Sequence, residues 1–255
     1  MDEERENVEV TEKKENEKEE IGFLNAVLKF FIEPTGIFPV LVEKKIWFFF
    51  PICLLSLSTF FSTYVFFERI DRESFMREQF RHSKFSSQMS QEQIDKAVND
   101  FKEKSSFLQS ITVPIFILVW LLLASLVYYL CFLALGGEIS FIKTLYVVYW
   151  AELTTCIAQI ISIPIMLVKA PDELLNPQEI LLTNLGAIIG NENLSPVMFS
   201  LLSAIDVFAI WNLILITLGL AAISKLSQNF SAIIVFSLYG AKVVLKTVWI
   251  AFFLQ

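Results

Sequence analysis

Long apolar runs separated by short polar breaks dominate the chain, and within the runs hydrophobic positions follow one another without a period-two alternation. A helix needs about 20 mainly apolar residues to cross a hydrocarbon core of about 30 Å. Five stretches reach that length: residues 46–67, 111–135, 142–168, 197–223 and 232–253. Continuous apolarity selects helices over the strands of a membrane barrel, whose walls alternate. The stretches at 46–67, 111–135 and 197–223 stand on hydrophobicity alone. Those at 142–168 and 232–253 carry Glu152 and the Lys242 and Lys246 pair, and depend on neighbouring helices for burial. The pattern predicts an all-α fold: a polytopic membrane helical bundle with about five transmembrane helices.

The shorter segments add detail. Ile21 to Ile32 is apolar but too short to cross, and runs into Glu33-Pro34-Thr35-Gly36. Residues 21–45 therefore read as an N-terminal amphipathic, interfacial segment, and a short helix packed on the bundle fits the same pattern. Residues 68–110 form the largest polar insertion, in which eight acidic and eight basic side chains cancel. Ser90-Gln91-Glu92-Gln93 has the form of a capping box and precedes Ile94, Ala97, Val98 and Phe101 at helical spacing, so a small helical extramembrane cap of two short helices is expected. Within the acidic segment 169–196, the apolar stretch 179–189 is expected as a surface helix.

Composition agrees with a membrane protein: mean hydropathy is +0.59, with 55% hydrophobic and 18% charged residues. The formal net charge of -7 is concentrated in residues 1–20, where ten acidic side chains face four basic ones. Such a tail cannot bury enough surface to offset chain entropy and is expected to be disordered, as a solubilising tail or a docking segment. Its acidity argues against nucleic acid as a partner and against anionic lipid at the tail. Cys53, Cys131 and Cys156 fall in apolar runs and read as small hydrophobes. No cleavable signal peptide is expected. The short connections carrying Lys143 and Lys225 place the N-terminus in the cytoplasm and the C-terminus outside, although Arg69, Arg72, Arg77 and Arg81 then lie outside.

The chemistry-bearing residues are few. His82 is the single histidine and reads as an ordinary surface residue, which excludes zinc motifs with paired histidines. There is no Walker-type glycine loop and no Gly-x-Ser-x-Gly elbow, so no catalytic residue, metal or cofactor is assigned and an enzyme is not expected. The charges inside the apolar runs remain. Counted from the expected span ends, Glu152 and Lys242 lie at similar depth, as do Asp206 and Lys246, and the two lysines share a helix face. Two intramembrane pairs follow, Glu152 with Lys242 and Asp206 with Lys246, which fix helix register or else belong to a titratable relay or polar-substrate pathway. On that pairing Lys246→Met destabilises the fold unless Asp206 is neutralised as well. Trp47 and Trp249 suit the interfaces, Trp150 and Trp211 suit helix packing, and Gly219, Ala221, Ala222 and Gly240 allow close helix contact.

Several strings occur in a recognisable order: Pro34-Thr35-Gly36; Gly136-Gly137-Glu138-Ile139-Ser140-Phe141 with Lys143-Thr144; and Asp206-Val207-Phe208-Ala209-Ile210-Trp211-Asn212-Leu213 followed by Gly219-Leu220-Ala221-Ala222. With these the chain, over roughly residues 25–254, resembles the Yip1 domain family, in particular its bacterial members. The family-motif residues are Gly136, Gly137, Phe141, Asp206, Phe208 and Trp211. The Asp-Leu-Tyr-Gly-Pro motif of eukaryotic members that bind Rab GTPases is absent, so Rab GTPase binding is not carried over. The resemblance implies a five-span protein of the bacterial inner membrane with no agreed reaction. A non-enzymatic protein that organises the lipid bilayer, membrane-protein partners or its own homo-oligomer is expected, the alternative being a small transporter or channel for an ion, lipid or polar solute.

Overall fold

The computed structural model describes residues 21–253 other than residue 82; the acidic tail at 1–20 and His82 lie outside the described residues. Among those described, the regular secondary structure is helical, and an isolated antiparallel bridge joins Asn184 to Asp206. Two short helices, α1 (Phe23–Ile32) and α2 (Pro34–Glu43), precede α3 (Phe49–Arg69). The polar insertion holds α4 (Arg72–Arg81) and α5 (Gln91–Glu103). The chain continues through α6 (Ser106–Ala134), α7 (Phe141–Ala151), α8 (Leu153–Val168), α9 (Leu185–Ile189), α10 (Pro196–Ser203), α11 (Val207–Ser224) and α12 (Gln228–Phe253).

Five helical stretches are long and apolar enough to cross a membrane: Lys45–Arg69, Ser106–Ala134, Phe141–Val168, Val207–Ser224 and Gln228–Phe253. The third consists of α7 and α8, interrupted for one residue at Glu152. The segment expected as one span over 197–223 is two helices, and this is the main departure from the hydropathy pattern. The chain leaves α10 at Ala204, and Val207 N–H donates to Thr183 O at 3.1 Å while Leu185 N–H donates to Ile205 O at 3.2 Å. Asp206 then starts α11 as its N-cap, accepting from Ala209 N–H at 2.9 Å. These three bonds satisfy Val207 N–H, Ile205 O and Ala209 N–H, backbone groups that the helix break would otherwise leave bare.

Successive spans run in opposite directions, so the bundle has two ends. The insertion, the segment 169–206 and the last turns of α12 share one, here the insertion face. Lys44 and Lys45, the turn 135–140 and the turn 225–227 share the other. At that second end α6 closes in a Schellman arrangement: Gly136 has φ +87°, Gly137 N–H donates to Phe132 O at 2.8 Å and Gly136 N–H to Leu133 O at 3.2 Å. Ser140 caps α7 by accepting from Lys143 N–H, and Phe141 packs edge-on against Tyr129.

Helix α3 packs on α6 and α8, and α11 packs on α2, α7 and α12. The α1–α2 hairpin is fastened into this bundle. Ala26 and Phe30 of α1 and Ile37, Phe38 and Leu41 of α2 are buried, while Leu24, Leu28 and Ile32 face outward. Phe30 lies 5.6 Å from Trp150 and Phe31 5.6 Å from Trp211, ring centre to ring centre, so the turn at Glu33 stands beside the interior of the spans. On the insertion face α4 and α5 pair through Arg77, which bridges Glu73 and Asp95 at 3.1 and 3.0 Å, and through Lys102 on Glu73 at 2.6 Å. The Ser90 and Gln93 capping box begins α5; Arg72 donates to Lys102 O and Lys104 O at the end of α5 and ties the pair to the spans through Phe67 O and Ser106 Oγ.

Candidate functional site

The polar residues of α3 recur at helical spacing on the face turned towards α8. Ser58 and Thr59 both donate to Gln159 Oε1, at 2.7 and 3.2 Å, and Ser62 meets Ser162 at 3.2 Å. Buried amides and hydroxyls are costly in an apolar interior unless they pair, and these satisfy one another. Further along α8 towards the opposite end, Glu152 accepts from Asn212 Nδ2 of α11 at 3.1 Å. A polar seam thus runs from Ser162 inward to the middle of the bundle.

Towards the insertion face the seam opens into a cavity of about 560 Å³ between α3, α8, the start of α11 and α12. Segment 177–184 lines it from the water side. Apolar side chains, among them Phe66, Met166 and Phe208, make up much of the wall, and Gln159, Thr183 and Asn184 interrupt it. Helix α12 contributes Tyr239, Lys242 and Lys246, all on one flank. Lys242 Nζ sits 5.8 Å above the ring of Tyr239, whose hydroxyl donates to Ala204 O at 2.7 Å.

Of the four charges expected inside the spans, three therefore meet in one cavity: Asp206, Lys242 and Lys246. Glu152 is not part of its lining. Among the described residues no ion pair within 4.0 Å joins Glu152 to Lys242 or Asp206 to Lys246. The Asp206 carboxylate is engaged locally, with Oδ1 on Ala209 N–H and Oδ2 accepting from Thr183 Oγ1 at 2.6 Å. The depth matching that suggested the pairs treated 197–223 as one helix. The break at residues 204–206 makes Asp206 a cap at a helix start rather than a charge within a span.

The other motif residues have distinct places. Gly136 and Gly137 close α6, Phe141 opens α7, Phe208 lines the cavity and Trp211 anchors Phe31 of the hairpin. The sequence pattern gave no role to Asn212 and Gln159, the two amides that bond the seam; each is the one amide side chain in an apolar helix, which was the available signal. The buried Ser203 Oγ at the cavity wall has no hydrogen-bond partner.

The helical architecture and the five apolar spans define a multi-pass integral membrane protein. The chain belongs to the Yip1 domain family, whose pattern matches residues 28–250. No curated protein and no solved structure matches the chain.

Proposed function

We propose that the protein performs no chemistry of its own and organises the membrane or its partners by holding an anionic group in the cavity between α3, α8 and α12. One observation carries this reading: Lys242 and Lys246 line the cavity with no carboxylate within ion-pair distance, while the one carboxylate in the lining, Asp206, already accepts two hydrogen bonds. An ammonium inside a span is costly unless something neutralises it, which supports an anionic ligand beside the two lysines. The lining contains no histidine or cysteine, so it offers no base of the usual kind near neutral pH. A homo-oligomer or another membrane protein remains the partner class for the outer surface of the spans. Following the Lys143 and Lys225 connections, the N-terminus is read as cytoplasmic and the C-terminus as outside, in a bacterial inner membrane.

Binding of phosphate-bearing probes to the purified full-length chain tests the reading, with glycerol phosphate and phosphatidylglycerol as probes and a K242M/K246M variant as control. Binding of either probe that the double substitution abolishes is expected. Binding of neither, or binding indifferent to the lysines, overturns it.

The polar seam favours a second reading, transport of an anion or proton, because it extends the cavity's polar lining inward to Glu152. Transport predicts flux of glycerol phosphate or protons across proteoliposomes that Glu152→Gln abolishes. Flux absent from the unsubstituted chain removes this reading.

A further inference from the structure

We propose that the group held in the cavity is the headgroup of an anionic phospholipid, drawn sideways from the leaflet on the insertion face. The inference rests on the anion-binding reading above and names its ligand. Its ground is the way the cavity is walled. On the water side, segment 177–184 roofs it, with Ile180 buried and Asn184 held by Gln178 O and Ala187 N–H. On the α12 flank the helix packs against α10 and α11, and both lysines are exposed there. Beside them Val244, Leu245, Val248 and Trp249 are exposed at 57%, 71%, 46% and 61%. The lysines therefore sit on the border between a polar cavity and an apolar outer surface, which is where the two parts of a phospholipid divide.

Depth agrees with this placement. At 1.5 Å per residue, Lys246 lies about 10 Å and Lys242 about 16 Å below Phe253. An extended lysine stem lets the ammonium of Lys246 rise to the headgroup level. Lys242 is too deep for that unless the headgroup sinks into the bundle, and a cavity of about 560 Å³ between the helices provides the room. On the cytoplasmic side of membranes, basic pockets between spanning helices hold anionic headgroups in this way. The mixture of Phe66, Met166 and Phe208 with Gln159 and Thr183 suits a glycerol backbone as well as a phosphate. A small soluble anion would gain the lysines but leave the apolar wall without a partner.

Purified full-length protein would be titrated with phosphatidylglycerol, phosphatidylcholine and glycerol phosphate, following bound lipid by native mass spectrometry and thermal unfolding in parallel. Phosphatidylglycerol is expected to bind and raise the unfolding temperature, with phosphatidylcholine and glycerol phosphate doing neither. In the K242M/K246M variant phosphatidylglycerol affinity should fall about tenfold or more. If that variant does not fold, the single changes K242Q and K246Q are measured in the same way, each expected to weaken phosphatidylglycerol selectively. Equal binding of phosphatidylcholine and phosphatidylglycerol would overturn the headgroup assignment. Glycerol phosphate binding as well as phosphatidylglycerol, lost in the lysine variants, would overturn the lipid inference while leaving the anion reading intact. No lysine-dependent binding of any probe would remove both.

Discussion

A Cβ placed on Gly219 would lie 2.5 Å from Val147 Cγ1 and 2.8 Å from Phe38 Cε1, whereas one placed on Gly240 meets nothing within 4 Å. Both glycines sit in spanning helices, yet only Gly219 makes the close approach that small residues permit. It is where α2, α7 and α11 converge. Neither a valine methyl nor a phenyl ring has a flexible end that could move aside, so Gly219→Ala forces a backbone shift. Its expected cost is about 1–3 kcal/mol of stability, the usual penalty for overpacking. Gly240→Ala should be near neutral or slightly favourable, since alanine is the better helix former by about 1 kcal/mol in water. Thermal unfolding of both variants in one detergent separates the two positions; equal effects would mean that the convergence at Gly219 is looser than this packing.

At the scale of elements, the pairing of α4 with α5 is electrostatic and should answer to pH. Glu73 accepts from Lys102 and Arg77, and these two cations hold its carboxyl below the usual carboxylate range, Lys102 contributing most. Asp71 is lowered as well, chiefly by the Ser74 hydroxyl. A carboxylate with a lowered folded-state value lends its stabilisation in full at neutral pH and loses it as pH falls through that value. Hydrogen-exchange protection over residues 72–103, taken relative to the intrinsic rate at each pH, should therefore hold from pH 7 to about 5 and fall below about pH 4, ahead of the spans. Uniform acceleration of insertion and spans together would show that the cap has no separate stability. This cap was legible in sequence because capping boxes and apolar stripes are local signals. The break before α11 was not, since Leu201 to Ile205 is as apolar as a span and the bonds that interrupt it come from Thr183 and Leu185, about 20 residues away in the chain. The cavity escaped for a related reason. Depth along a helix can be counted from sequence, but the direction a side chain faces within the bundle cannot, so Lys242 and Lys246 could be matched to carboxylates in height without forming ion pairs with them.

For the whole molecule, the position of the cavity becomes a statement about membrane sidedness. Five spans in alternation put the α4–α5 insertion and the segment 169–206 on one side and the Gly136 to Ser140 turn on the other. Glu92, Glu192 and Glu138 are exposed residues of these three regions. In a chain with Cys53, Cys131 and Cys156 replaced by alanine, single cysteines at those positions can be labelled with a membrane-impermeant maleimide. Glu92→Cys and Glu192→Cys should react from the same side and Glu138→Cys only after the membrane is opened. With the N-terminus cytoplasmic, the first two react from outside with the membrane intact, and the lysine-lined cavity then draws on the outer leaflet. Labelling of Glu92→Cys and Glu192→Cys from opposite sides would break the alternation. Labelling of both from the cytoplasm alone would leave the bundle unchanged and invert it, moving the cavity to the inner leaflet. There the positive ends of Lys242 and Lys246 would meet the anionic lipid of the cytoplasmic surface, and the Arg69, Arg72, Arg77 and Arg81 group would lie on the side that basic loops ordinarily occupy.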